Sequence, residues 1–322
     1  MLDILILIAG FIALILGANK LVDGASGLAK KFNIPNIVIG LTIVAFGTSA
    51  PELVVNIIAA AENDTALVLG NIMGSNIFNV MGILGVCAII YPLSVKKNTT
   101  WIEVPLSLLA AVAVLIIVHD KFFDDPGTDI ISRTDGLLLI LFFIIFLVYN
   151  ISLAIKSDPE EEINSKEKKY SVPLCILFIV LGLAGLVLGG KLIVMSAVNI
   201  AASFGLSQRV IGLTIIAIGT SLPELATSVV AVRKKKTDIA IGNVVGSNIF
   251  NIFFVLGISA IINPVVVAPA SFIDINVNIC ASLLLFLFIF ARKGRQIDRW
   301  EGSILLLTYI GYMVFLILNS SV

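Results

Sequence analysis

The chain has 322 residues, 59% of them hydrophobic and only 13% charged, with 21 basic and 21 acidic side chains and a formal net charge of zero. That apolar load excludes a disordered chain and an ordinary water-soluble domain. No basic run is present to grip the phosphates of a nucleic acid, so that class of partner is excluded as well.

A hydrocarbon core about 30 Å thick needs about 20 mostly apolar residues per helix. Apolar stretches bounded by charged or turn residues predict spans near 2–21, 36–61, 66–90, 101–118, 134–155, 172–193, 208–232, 238–262, 272–291 and 300–318. Ten such helices make an all-α polytopic membrane protein. The first lacks a basic leader and a small-residue cleavage site, so it reads as a retained span and not as a signal peptide. Cys87, Cys175 and Cys280 are odd in number and each lies in an apolar stretch, which predicts buried thiols and no disulfide framework. With the N-terminus outside, the inward connections collect 17 of the 21 basic residues, from Lys20, Lys30 and Lys31 to Arg299. The outward ones hold Lys121, Arg133, Lys191 and Arg209, beside the acidic stretches Glu62 to Asp64 and Asp120 to Asp129. This asymmetry predicts that both termini face outward.

Residues 39–53, IGLTIVAFGTSAPEL, match residues 211–225, IGLTIIAIGTSLPEL, at 12 of 15 positions with an offset of 172. The same offset carries GNIMGSNIFN at 70–79 onto GNVVGSNIFN at 242–251, identical at 8 of 10 positions. The chain therefore reads as a first repeat over 1–157, a charged cytoplasmic tether over 158–170 and a second repeat over 171–322. Five spans per repeat is an odd number, so the second copy enters the bilayer from the opposite side. The expected result is an inverted repeat able to open a central site alternately to the two sides.

The second span carries Gly47-Thr48-Ser49-Ala50-Pro51-Glu52 and the seventh carries Gly219-Thr220-Ser221-Leu222-Pro223-Glu224. A carboxylate at membrane depth costs on the order of 3 kcal/mol on insertion scales and needs a partner. No Lys or Arg lies in the middle of a predicted span, so Glu52 and Glu224 call for a bound cation or proton. Pro51 lacks an N–H and crowds the carbonyl of Gly47, which predicts a broken helix whose freed carbonyls around Ala45 to Thr48 line a cavity. The second copy repeats this with Ala217, Thr220, Ser221 and Glu224. Ser75 and Asn79, and Ser247 and Asn251, are each four apart on one helical face and add neutral oxygens. The glycines Gly70, Gly74, Gly242 and Gly246 beside them also suit close helix packing. Asn76 and Asn248 fall on another face, where they serve as interhelical glue. The set contains oxygen alone, which suits Ca²⁺ or several Na⁺ and disfavours zinc or copper.

The G-T-S-x-P-E and G-S-N-I-F-N motifs of each half make the chain resemble the calcium/cation antiporter superfamily, and within it the sodium/calcium exchanger branch with two alpha-repeats. The resemblance implies ten helices in two inverted halves, broken helices 2, 3, 7 and 8 around a midplane ion site, and exchange of Ca²⁺ for Na⁺ across the plasma membrane. It implies ion ligands at Ala45, Thr48, Ser49, Glu52, Ser75 and Asn79, and at Ala217, Thr220, Ser221, Glu224, Ser247 and Asn251. It also implies that helices 1 and 6 slide against the other eight. Asn251 stands where the potassium-dependent branch has Asp, and G-T-S-x-P-E stands where the proton/calcium branch has G-N-x-x-E; both point to sodium coupling. No cofactor beyond the transported ions and no protein partner is expected. Exchange of protons for Ca²⁺ or another divalent cation is the nearest alternative, and a passive cation channel a weaker one. An enzyme is not expected, because no H-E-x-x-H is present and His119, the sole histidine, is remote from the acids. His119 reads as a boundary residue, Asp124, Asp125 and Asp129 as a weak cation attractor, and Trp101 and Trp300 as interfacial anchors.

Overall fold

The computed structural model describes residues 2–119, 129–156, 170–203, 217–291 and 295–319. Residues 158–169 of the tether, Asp124, Asp125, Arg209 and the first six residues of the second motif copy lie outside the described residues. The helices are α1 (Leu2–Phe32), α2 (Asn36–Thr48), α3 (Ala50–Ala61), α4 (Thr65–Ile90), α5 (Thr99–Ile117) and α6 (Arg133–Lys156). They continue with α7 (Val172–Ser203), α8 (Ala217–Thr220), α9 (Leu222–Arg233), α10 (Thr237–Ile262), α11 (Ser271–Ala291) and α12 (Arg299–Asn319). Among the described residues 8 helices are long and apolar enough to cross a membrane, and 9 if α2 and α3 form one bent span. The expected span at 208–232 is described only from Ala217 onward, as α8 and α9.

Two helices outrun their predicted ends. At about 1.5 Å per residue, the 31 residues of α1 reach roughly 46 Å, well beyond a hydrocarbon core of about 30 Å. No proline precedes Asn33, so the helix runs on through Lys20, Asp23, Lys30 and Lys31. In the same way α7 runs to Ser203, which places Lys191 inside a helix and not in an outer connection. The two helices pack antiparallel along glycines: a Cβ at Gly10, Gly17 or Gly24 would lie 3.1, 2.8 or 2.7 Å from the carbonyl oxygens of Gly189, Gly182 and Cys175. Backbones this close exploit missing side chains, since lipid offers no hydrophobic drive to helix pairing.

The centre belongs to α4 and α10, whose most apolar windows are 83% and 78% buried, against at most 39% for every other candidate span. Neither is broken, contrary to expectation. Neither contains a proline; each accommodates one extra residue per turn in a π-helical stretch, Phe78–Ile83 in α4 and Phe250–Leu256 in α10, and continues. The bend is confined to the proline-bearing spans, where α2 and α3 meet at 47°. Four two-residue strands pair antiparallel at the membrane ends, β1 (Leu93–Ser94) with β4 (Gln296–Ile297), and β2 (Ile130–Ile131) with β3 (Val265–Val266). Asn63 and Lys235, 172 apart, both take left-handed backbone, at φ 62° and 58°, in the turns that lead into α4 and α10.

Gly242 and Gly246 are packing residues, with Cβ positions 2.8 and 2.6 Å from the carbonyl oxygens of Ile37 and Leu41 in α2. Among the described residues nothing lies within 4 Å of a Cβ at their counterparts Gly70 and Gly74. Cys87 and Cys175 are buried, whereas Cys280 lies on the exposed face of α11, because a lipid-facing side chain is as apolar as a core one and sequence cannot separate them. Trp101 is exposed at the start of its span and packs on Phe286 and Phe290.

Candidate ion-binding site

Ser49 is the one residue between α2 and α3 and departs from helical geometry with φ −83° and ψ 9°. Pro51 follows in the first turn of α3, where a missing N–H costs nothing. Ser221 repeats this between α8 and α9 at φ −92° and ψ 10°. The interruption is narrower than the sequence suggested: the Ala45 carbonyl still accepts the Ser49 N–H at 3.0 Å. Of Ala217, the structure places the backbone at the start of α8.

Each kink turns its serine toward the acid of the other half. Ser49 Oγ donates to Glu224 Oε1 at 2.8 Å and lies 2.9 Å from Ser247 Oγ. Ser221 Oγ donates to Glu52 Oε1 at 3.0 Å and lies 3.1 Å from Ser75 Oγ. Glu52 is 1% exposed and Glu224 0%, and among the described residues no salt bridge reaches either. The predicted acids and all four serines thus converge in two crossed clusters.

The threonines are held by residues the sequence reading missed. Thr48 Oγ1 donates to Asn243 Oδ1 at 3.0 Å, and Thr220 Oγ1 to Asn71 Oδ1 at 3.3 Å. A hydroxyl that donates its proton outward leaves its lone pairs for a cation. Asn71 and Asn243 head the GNIMGSNIFN and GNVVGSNIFN motifs, and that repetition was the available signal. Asn79 Nδ2 donates to Asn248 Oδ1 at 3.0 Å, and Asn251 Nδ2 to Asn76 Oδ1 at 3.1 Å. Asn76 and Asn248 also donate to each other's backbone carbonyl, at 3.2 and 3.3 Å, which makes them the glue expected between α4 and α10.

This wiring commits the amide N–H₂ groups of Asn76, Asn79, Asn248 and Asn251 and leaves oxygens over. Among the described residues, Glu52 Oε2, Glu224 Oε2, Asn79 Oδ1 and Asn251 Oδ1 are buried without a hydrogen-bond partner. Buried acceptors of this kind cost about 1–3 kcal/mol each unless something satisfies them. All four are hard oxygen donors, two carry formal charge, and they form two pairs related by the 172 offset. Such a set can strip the hydration shell from a hard cation.

A further buried acid stands apart. Glu103 in α5 is 0% exposed and accepts from Tyr149 of α6 at 2.6 Å. Only its position three residues inside a predicted span could have marked it. His119 sits at the end of α5, within 2.6 Å of the Leu115 carbonyl and edge-on to Phe272, as a boundary residue would.

A family profile described as sodium/calcium exchanger protein matches residues 2–152 and 174–318. The putative antiporter CaxA of Alkalimonas amylolytica is 39% identical over 96% of this chain and 97% of its own length. The sodium/calcium exchanger MaX1 of Methanosarcina acetivorans is 33% identical, over 98% of both chains. A solved structure of the sodium-calcium exchanger NCX_Mj, soaked with Na⁺ and Ca²⁺, superposes with a TM-score of 0.82 at 32% identity and 98% coverage of each chain. The chain belongs to the sodium/calcium exchanger protein family.

Proposed function

We propose that the chain is a secondary active antiporter that exchanges Ca²⁺ for Na⁺ by alternating access at a site built on Glu52 and Glu224. The observation that carries this reading is the crossed pair of bonds, Ser49 to Glu224 and Ser221 to Glu52, with one oxygen of each acid left over. Two carboxylates are neutralised by one Ca²⁺ or by two Na⁺, so either cargo satisfies the same oxygens in turn. The remaining ligands are Thr48, Thr220, Ser75, Ser247, Asn79 and Asn251, with the backbone carbonyls of Ala45 and Ala217.

In this reading ten crossings form two five-helix halves, 1–157 and 171–322, joined by the tether and related by a two-fold axis in the membrane plane. Both termini face outward. Each repeat contributes a serine to the other's acid, so a shift of one half relative to the other rearranges both clusters together. The names of the relatives and of the matched structure support Na⁺ as the counter-ion.

The test is Ca²⁺ flux into liposomes holding the purified protein, under an imposed Na⁺ gradient, an imposed pH gradient, and neither. Flux driven by Na⁺ alone is the expected result. Flux driven by the pH gradient alone would assign proton coupling, and flux with neither gradient would assign a channel.

A further inference from the structure

Under the 172-residue offset α1 answers to α7, and α3 with the turn that begins at Glu62 answers to α9 with the turn that begins at Lys234. The two pairings differ in space. The α1 helix packs directly along α9, and at the turn the Lys234 ammonium engages Asp23 Oδ1 at 2.7 Å and donates to the Asn19 carbonyl at 3.2 Å. Between α7 and α3 lies instead a cavity of about 630 Å³, lined by Val54 of α3, by Lys191 and Met195 of α7, and by Pro51 and Thr220 beside the two kinks. Val54 and Ile58 of α3 are 55% and 52% exposed, whereas their counterparts on α9, Ala226 and Val230, are half-buried. One repeat is shut where the other is open.

The charges at these equivalent places are reversed. Lys234 answers to Glu62, Asn19 to Lys191 and Asp23 to Met195. In the shut pair the base stands in the turn and the acid on the long helix; in the open pair the acid stands in the turn and the base on the long helix. Asn19 and Asp23 are four apart and share the face of α1 that meets Lys234. Lys191 and Met195 share the equivalent face of α7, and both line the cavity toward α3. Glu62 and Lys191 are both exposed, so neither charge is needed to complete a core. A turn and a helix that meet in only one of two arrangements can carry such charges as a bond for the other arrangement.

We propose that Lys234 with Asp23 and Glu62 with Lys191 are two charge-reversed latches that position the long α1–α7 pair alternately. The first is closed in this structure. The second closes when α7 settles on α3 as α1 now lies on α9, and the first then opens. The inference rests on the alternating-access reading and names the side chains that hold each of its ends. The Lys234–Asp23 pair is partly exposed to solvent, with side-chain exposures of 27% and 37%. An ion pair in such a place contributes little by itself, which suits a contact that breaks in every cycle; a much stronger one would trap a single state.

The test uses the full-length protein purified in detergent, with Cys280→Ser and with Val54→Cys in the cavity wall. The rate at which Cys reacts with a charged thiol reagent reports how far the cavity is open. Lys234→Gln releases the closed latch and is expected to slow that reaction about two- to fivefold, because the arrangement with α7 on α3 gains population. Adding Lys191→Glu, which faces Glu62 with a like charge, is expected to return the rate to that of the parent. Adding Glu62→Lys as well restores an opposite pair and is expected to slow the reaction again. A role in folding alone would lower the thermal midpoint without this alternation of rates. An unchanged rate in Lys234→Gln, or a triple variant no slower than the double one, overturns the proposal. Should Lys234→Gln fail to fold, Glu62→Lys with Lys191→Glu in the parent chain must react more slowly than either single reversal, and equal rates overturn the proposal. Labelling is read without ion flux, so rates that alternate as expected in a chain that moves no Ca²⁺ would overturn the exchange reading alone.

Discussion

Ser49 in the kink between α2 and α3 donates to Glu224 in α9 across 2.8 Å, joining residues 175 positions apart. The bond fixes one carboxylate oxygen and leaves the other, Oε2, buried without a hydrogen-bond partner among the described residues. Its counterpart from Ser221 does the same for Glu52. Among the described residues the acids are therefore held by hydroxyls and not by lysine or arginine.

Glu52→Gln and Glu224→Gln keep the shape of each side chain and the serine bond but remove a formal charge. Either change is expected to abolish Ca²⁺ flux in liposomes while the thermal midpoint holds or rises, since a buried anion is no longer desolvated. Wild-type flux in either variant would remove these acids from the site.

Ser49→Ala and Ser221→Ala each delete a hydrogen bond to a charged group, worth about 1.5–3 kcal/mol. Ca²⁺ affinity, measured by isothermal titration on purified protein, is expected to fall at least about tenfold for each. By the crossed geometry, Ser49→Ala acts on Glu224, so its cost should shrink once Glu224→Gln has removed the charge. Full additivity would show that the serine works elsewhere.

Asn251 donates its Nδ2 hydrogen to Asn76 Oδ1 at 3.1 Å, a bond an ionised carboxylate cannot make. Asn251→Asp is expected to destabilise the protein by about 1–3 kcal/mol when the new group is ionised. A protonated carboxyl restores a donor, so the gap in thermal midpoint to wild type should narrow as pH falls and widen as it rises. The variant is also expected to become K⁺-stimulated or more steeply pH-dependent in Na⁺-driven Ca²⁺ flux, whereas wild type is indifferent to K⁺. An unchanged profile in both series would place position 251 outside the site.

Gly17 meets Gly182 where an added Cβ would fall 2.8 Å from a backbone oxygen, which no rotamer change can relieve. Gly17→Ala is expected to cost about 1–3 kcal/mol of stability by forcing α1 and α7 apart. Gly311→Ala, with nothing within 4 Å, is the matched control and should be neutral or slightly stabilising in the same thermal melt.

For topology, Glu62→Cys and Lys235→Cys in a Cys280→Ser background should react with an impermeant thiol reagent from opposite sides of the membrane. Glu62 is preferred to its neighbour Asp64, whose carboxylate caps α4 by accepting the Leu67 N–H at 3.1 Å. Cys280 must be removed because it is exposed. Labelling of both positions from one side would break the inverted-repeat reading.

The sequence alone singled out most of the polar residues that cluster at the centre of the bundle. Apolar run lengths and the repeated G-T-S-x-P-E and G-S-N-I-F-N motifs were enough to predict an interruption in the two proline-bearing helices, the buried acids and the glue at Asn76 and Asn248. These are local signals: a proline without an N–H, an acid where water is scarce, a periodicity of four. The tertiary structure decided which side chain answers which. Nothing in either motif copy says that Ser49 serves Glu224 and not Glu52, three residues away; crossing the chain's two halves in space does. The same holds for Asn243 behind Thr48, for the unbroken course of α4 and α10 through π-helical turns, and for Lys191 inside α7. Hydrogen bonds between residues more than a hundred positions apart depend on how helices pack, and packing is a property of surfaces that a one-dimensional pattern does not contain.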